Sequence, residues 1–227
     1  MMTAAPSHPA LTASAEDYLK TIYSLGPTGA AATTVEIAGR LGLAPASVTA
    51  MLSRLAERGL VNYERYRGVT LTDAGRITAL RTIRRHRVLE AFLTRALGYP
   101  WDEVHDEAER LEHAASDKLI DRMAEILDEP TVDPHGAPIP TRDGAVDETV
   151  YRTLGELTSG ERARVERVSD KSPEMLRYLD ELALRPGAEV MVISHAPFDG
   201  PIAIEIEGAV RSIGRLLAAQ VLVATER

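Results

Sequence analysis

The chain contains no cysteine. That excludes a disulfide framework and thiolate metal sites, and leaves carboxylate and imidazole groups as its metal-binding chemistry. It has no apolar run near the roughly 18 residues that suggest a membrane span. The stretch from Met1 to Ser14 lacks the basic and apolar regions of a signal peptide and reads as a loose tail. There is no H-E-x-x-H, no nucleophile elbow and no phosphate-binding loop, and the H-D-E-A-E run from His105 to Glu109 is only superficially like a zinc-protease motif. No internal repeat is found. These absences predict a cytoplasmic protein that is not an enzyme, with no membrane partner and no organic small-molecule substrate.

What is present is unevenly distributed. The 227 residues allow two or three domains with a real core. The net charge is −8, but residues 1–100 hold twelve Lys/Arg against seven Asp/Glu, residues 101–150 four against fifteen, and the remainder ten against twelve. A mildly basic head joined to a strongly acidic middle fits a nucleic-acid-binding part attached to a cation-binding part.

In the head, an apolar helical face at Tyr18, Leu19, Ile22 and Tyr23 follows a cap expected at Ser14, and Gly26-Pro27-Thr28-Gly29 ends it. Two short helices come next, the first after Thr33 and the second from Ala46 to Arg58, joined by a turn through Pro45. This is a helix-turn-helix pattern. From Leu60 to Thr72 the chain reads as strand, turn at Arg67-Gly68 and returning strand, a wing with Arg65, Tyr66 and Arg67 at its tip. The combination predicts a winged helix that binds double-stranded operator DNA through Pro45, Ser47, Thr49, Ser53, Arg54, Arg65 and Arg67. The reading helix has no Asn or Gln to read adenine, so recognition is expected to lean on methyl contacts, DNA shape and dimerisation.

The acidic middle centres on V-H-D-E-A-E-R-L-E-H, from Val104 to His113, with two histidines and four acids in ten residues. On a helix expected from about Asp102 to Ser116, Glu109, Glu112 and His113 share one face, and His105 joins it four residues before Glu109. Either a divalent cation gathers these groups or they form a solvated acidic face. His86 and Glu90, at i and i+4 on a long helix from Asp73 to about Leu97, are a metal half-site or an ordinary hydrogen-bonded pair. Surplus apolar helix faces suggest a homodimer. Residues 129–149 read as a linker in which His135 of D-P-H-G is a turn residue, not a ligand. After residue 153 short strands and a Ser172-capped helix predict a small β-barrel. The expected fold is mainly α with small β, in three domains: residues 1–74, 75–145 and 146–227.

Several ordered runs carry a family resemblance: A-E-D-Y-L-K-T-I-Y from Ala15, R-R-H-R-V-L-E-A-F from Arg84, the Val104–His113 stretch, D-P-H-G-A-P-I-P from Asp133, and S-D-K-S-P-E-M-L-R-Y-L from Ser169. Together they resemble the diphtheria toxin repressor family of iron- and manganese-dependent regulators, specifically its manganese-regulator branch, over residues 14 to 224. The resemblance implies a dimeric, metal-activated repressor of metal-homeostasis genes with an SH3-like (FeoA-type) C-terminal domain. It implies a primary site of Asp17, Glu109, Glu112 and His113, and an ancillary site of His86, Glu90 and His105, with Asp170 and Glu174 as candidates from the C-terminal domain.

Where iron sensors of the family carry Met and Cys, this chain has Asp17 and Glu109. A wholly carboxylate and imidazole site is hard. It suits Mn²⁺, with Fe²⁺ as the alternative, while Zn²⁺, Co²⁺ or Ni²⁺ can substitute in vitro. Lys20 stands where some two-domain manganese regulators have Glu, which favours two separated sites. The implied switch is a bridge from Asp17 to the dimer domain that fixes two reading heads about 34 Å apart. Protonation competes for His113, so activation is expected to weaken as pH falls through about 6.5.

Overall fold

The computed structural model describes residues 11–26 and 29–225. The loose-tail reading of residues 1–14 therefore falls mostly outside the described residues, as do Pro27 and Thr28 of the first turn. The chain divides into two compact units: residues 1–84 with 142–144, and residues 85–141 with 145–227.

In the first unit, α1 (Ala13–Leu25) is capped by Thr12, whose hydroxyl accepts the Ala15 N–H at 3.3 Å. The cap expected at Ser14 thus lies two residues earlier. A capping box of Thr33 and Glu36 starts α2 (Thr34–Leu41), which ends at Gly42 in the left-handed region, φ 65°. Pro45 occupies the first turn of α3 (Pro45–Glu57), where its missing N–H costs no hydrogen bond. Val48, Leu52 and Leu55 of α3 pack with Leu19, Ile22 and Ile37. Next, β1 (Val61–Glu64) and β2 (Gly68–Leu71) pair antiparallel from Val61–Leu71 to Glu64–Gly68. Gly75 opens the next helix against this ribbon, where a Cβ would lie 1.9 Å from the Leu60 carbonyl oxygen. The winged helix-turn-helix is therefore present as expected.

The long helix α4 (Asp73–Leu97) begins in the first unit and ends in the second. In the second unit, α5 (Val104–Leu111) and α6 (Asp117–Ile126) pack on α4 through Val88, Leu89, Ala108, Ile120 and Ala124. The helix expected to reach Ser116 stops at Leu111 because Ser116 caps α6, accepting the Leu119 N–H at 3.3 Å. Glu112 keeps helical angles at the end of α5.

The C-terminal strands are β3 (Arg152–Thr153), β4 (Arg162–Val168), β5 (Glu189–His195), β6 (Ile202–Ile206), β7 (Ala209–Ile213) and β8 (Val221–Thr225), with α7 (Pro173–Glu181) and α8 (Arg215–Ala218) between them. They form one antiparallel sheet in the order β3-β8-β4-β5-β6-β7. The expected small barrel is an open sheet. Its edge strand β3 has two residues, too few to close against β7. Irregular registers at Val165/Arg167 and Val192/Ser194 bend the strands around a core that includes Leu154, Leu176, Val192 and Val223. Trp101, from the turn before α5, also lies in this core. No helix among the described residues is long and apolar enough to cross a membrane.

Candidate metal centre

The second unit gathers titratable groups around one buried carboxylate. Glu90 points inward from α4, fully buried. Its Oε1 lies 3.0 Å from His86 Nε2 and 3.3 Å from His105 Nδ1. A third imidazole, His135, brings its Nδ1 to 3.9 Å of the same oxygen. The helical spacing of His86 and Glu90 and the start of α5 account for the first two approaches. The third comes from the segment read as a linker.

His86 is buried too, and its Nδ1 meets Glu112 Oε2 at 2.6 Å. Both its ring nitrogens thus face carboxyl groups, so a proton or a cation lies between the ring and each of them. Glu109 sits with His86 and His105, 3.9 Å from a nitrogen of each. His113 Nε2 is 3.4 Å from Glu112 Oε1. The stripe expected to present Glu109, Glu112 and His113 as one set is therefore divided: Glu109 turns to the histidine pair, and Glu112, fully buried, lies between His86 and His113. Asp17 lies half-buried on α1 of the first unit.

Asp170 joins the cluster, with Oδ2 3.8 Å from His105 Nδ1. Glu174 does not belong to it: the carboxylate is exposed, accepts from the Ser172 hydroxyl at 2.8 Å and lies 3.7 Å from Arg177. It stabilises the start of α7.

Two groups that the linker reading passed over complete the arrangement. Asp133 and His135 are both buried, and with Glu90 they form a cluster of potential ligand atoms. Asp133 Oδ1 accepts the N–H groups of His135 and Ala137 at 2.8 and 2.9 Å, which fixes the turn. Its Oδ2, Glu90 Oε2 and His135 Nδ1 are buried without a hydrogen-bond partner. Buried polar atoms left without a hydrogen bond are costly, and one ligand atom from each of these three residues lies within 4.8 Å of the others, the spacing a cation site needs. His135 is a turn residue, as expected, and its ring also joins this group of potential ligand atoms. The sequence signal was Asp and His at i and i+2 around a proline, outweighed by the turn chemistry of the same residues.

Charge follows the geometry. Burial alone would raise the Glu90 carboxyl, but hydrogen bonds from His105 and His86 override it and hold it far below the usual carboxylate range. The bond to Glu90 raises His105, with burial opposing. Burial and the neighbouring Glu90 charge push Asp133 up to about 6 against the pull of Arg87. Arg87 Nε is 3.7 Å from Asp133 Oδ2, and its guanidinium also donates to the Pro138 carbonyl.

In the first unit, α3 exposes Pro45, Ser47, Ser53 and Arg54, with Thr49 half-buried. Thr49 and Ser53 donate to the carbonyls four residues back, each at 3.1 Å. Arg65 and Arg67 are exposed beside Tyr66, which is 92% exposed and adopts φ 71°. The Arg65 guanidinium lies 5.2 Å from the Tyr66 ring centre.

Three family models match in tandem: "Iron dependent repressor, N-terminal DNA binding domain" over residues 10–69, "Iron dependent repressor, metal binding and dimerisation domain" over residues 72–141, and "FeoA domain" over residues 152–225. An iron-dependent repressor, IdeR, of Mycobacterium bovis (strain ATCC BAA-935 / AF2122/97) is 37% identical over 153 residues, spanning 64% of this chain and 66% of that protein. IdeR of Mycobacterium leprae (strain TN) is 34% identical over 190 residues, spanning 78% of this chain and 82% of that one. Among solved structures, a manganese-dependent transcriptional repressor in complex with manganese is 40% identical. It covers 93% of this chain and 100% of its own, with a TM-score of 0.86.

Proposed function

The chain belongs to the iron-dependent repressor family, that of the diphtheria toxin repressor, and from this premise we propose that Mn²⁺ is the metal that switches it on, with Fe²⁺ as the alternative. It is a metal-dependent transcriptional repressor, not an enzyme. The proposed target is an operator controlling metal-homeostasis genes, bound by a homodimer. The observation that carries the reading is the donor set. Glu90, Glu112, Asp133, His86 and His135 are all buried, and none of them offers sulfur. Hard oxygen donors with imidazole suit Mn²⁺ and Fe²⁺, while the Irving–Williams order lets Zn²⁺, Co²⁺ or Ni²⁺ bind at least as tightly in vitro. The iron reading has its own support in relatives named as iron-dependent.

Two ligand sets follow. The first is Glu109, Glu112 and His113 with Asp17 from the DNA-binding unit, proposed from residue type and the family pattern, with Glu109 turning from the His86–His105 pair to join it. The second is His86, Glu90 and His105, extended by Asp133, His135 and Asp170. A bound divalent cation supplies the positive charge that lets these carboxylates share one locus. Without it, the carboxylates of the first set repel one another. When the cation ties Asp17 into this set, the two winged helices of a dimer keep a fixed spacing. Only a difference in affinity between the tied and untied states can drive the switch.

The test is to select duplex DNA bound by the protein in Mn²⁺, then titrate binding with Mn²⁺, Fe²⁺, Zn²⁺ and Co²⁺ under anaerobic conditions. Mn²⁺ should support binding that a chelator abolishes, and Asp17→Ala should lose the response. Binding indifferent to chelator would sink the metal reading, and a response to Fe²⁺ but not Mn²⁺ would replace the proposed metal by its alternative.

A further inference from the structure

His135 is held from several sides by the C-terminal domain and the residue that anchors it. Its Nε2 lies 2.7 Å from the Trp101 carbonyl oxygen. A carbonyl only accepts, so Nε2 carries the hydrogen, and Nδ1, turned towards Glu90 Oε1 at 3.9 Å, is the nitrogen left to face a cation. The His135 carbonyl accepts the Val168 N–H at 2.9 Å, at the end of β4. Gly136, at φ 86°, passes so close to β4 that a Cβ there would lie 1.9 Å from the Glu166 carbonyl oxygen. The Trp101 ring, 5.8 Å from the imidazole, is buried in the C-terminal core with the Arg185 guanidinium 5.0 Å from its centre.

We propose that the C-terminal domain sets the metal affinity of the Glu90–Asp133–His135 site by fixing the position and tautomer of His135, with Trp101 and Val168 as its positioning residues. This rests on the reading of the protein as metal-dependent. A histidine ligand presents the correct nitrogen only when its other nitrogen is committed, and partners that do this commonly contribute about 10- to 100-fold in metal affinity. Here the committing acceptor is a main-chain carbonyl, held in place because its own side chain fills the core of the neighbouring domain. Loosening the domain would free the imidazole to turn or shift.

Trp101 is the only tryptophan in the chain, so tryptophan emission reports the surroundings of this one ring. The full-length homodimer is titrated with Mn²⁺ by calorimetry while Trp101 fluorescence and hydrogen exchange at the Val168 amide are followed. In the wild type, emission should change and Val168 protection should rise as Mn²⁺ binds. In Gly136→Ala, the displaced turn should lower Mn²⁺ affinity at this site about 10- to 100-fold and uncouple the Trp101 signal. If Gly136→Ala does not fold, the wild-type exchange and emission data decide alone. Calorimetric saturation with neither Trp101 nor Val168 responding overturns the proposal. So does an unchanged affinity in folded Gly136→Ala. Failure of the wild type to bind any Mn²⁺ overturns the manganese reading instead, and with it this inference as stated for Mn²⁺.

Discussion

Asp133 shows what a single buried carboxyl does to folding and to binding at once. Burial pushes it from its ordinary 3.8 up to about 6, so in the metal-free protein its contribution to stability is present below pH 3.8 and is lost as pH rises through about 6. At pH 7 that corresponds to about 3 kcal/mol against the folded state, with the pull of Arg87 already included. Asp133→Asn keeps the oxygen that accepts from His135 and Ala137 and removes the charge. The metal-free variant should be more stable at pH 7 by about 1–3 kcal/mol in denaturant titration, while its Mn²⁺ affinity, measured by calorimetry, falls at least tenfold. A variant that is less stable without metal would show that the charge is already compensated. These residues were poorly legible in the sequence for a physical reason. Asp, Pro and Gly around His135 write a turn locally, and nothing local records that the turn is buried beside Glu90. His86, Glu90 and His105 were legible because helical spacing alone brings the first two together.

At the level of elements, the winged helix was readable almost entire. Periodic apolar faces, Thr33 with Glu36, and Gly42 are local signals, and local signals fix helix starts and ends. The end of α5 was not, because Ser116 serves as well inside a helix as at the cap of the next. The open C-terminal sheet was misread as a barrel for a related reason: strand positions show in the sequence, whereas closure depends on the pairing of edges. The wing carries a prediction of its own. Arg65 and Arg67 stand exposed at a tip whose Tyr66 has an unfavourable left-handed backbone without burying its ring. Replacing both arginines by alanine should weaken operator binding in Mn²⁺ and reduce the slope of log affinity against log salt by about 2, one per lost phosphate contact. An unchanged slope in a gel-shift series would remove the wing from the interface.

For the whole molecule, pH should act in opposite directions with and without metal. In the metal-free state the raised His105 contributes stability present below its ordinary 6.5 and lost as pH rises through its higher folded value, in parallel with Asp133. Depressed Glu90 contributes stability present above about 4.5 and lost only in strong acid. The thermal midpoint in chelator should therefore be higher near pH 5.5 than near pH 8. In saturating Mn²⁺ the order should reverse, because binding needs His105 and Asp133 free of protons. Calorimetric scans at the two pH values, with and without Mn²⁺, test this, and parallel trends in both would reject these residues as ligands.

Trp101 precedes α5 in the chain yet belongs to the core of the sheet that begins some fifty residues later. The natural joint for recombining these parts is thus not the proline-rich segment between them. A chimera that exchanged the C-terminal domain at residue 146 would leave an indole without its socket in one parent and a socket without its indole in the other. Exchange that carries Trp101 along with the sheet keeps this core filled, which makes the side chain the marker for where this chain can be cut and rejoined.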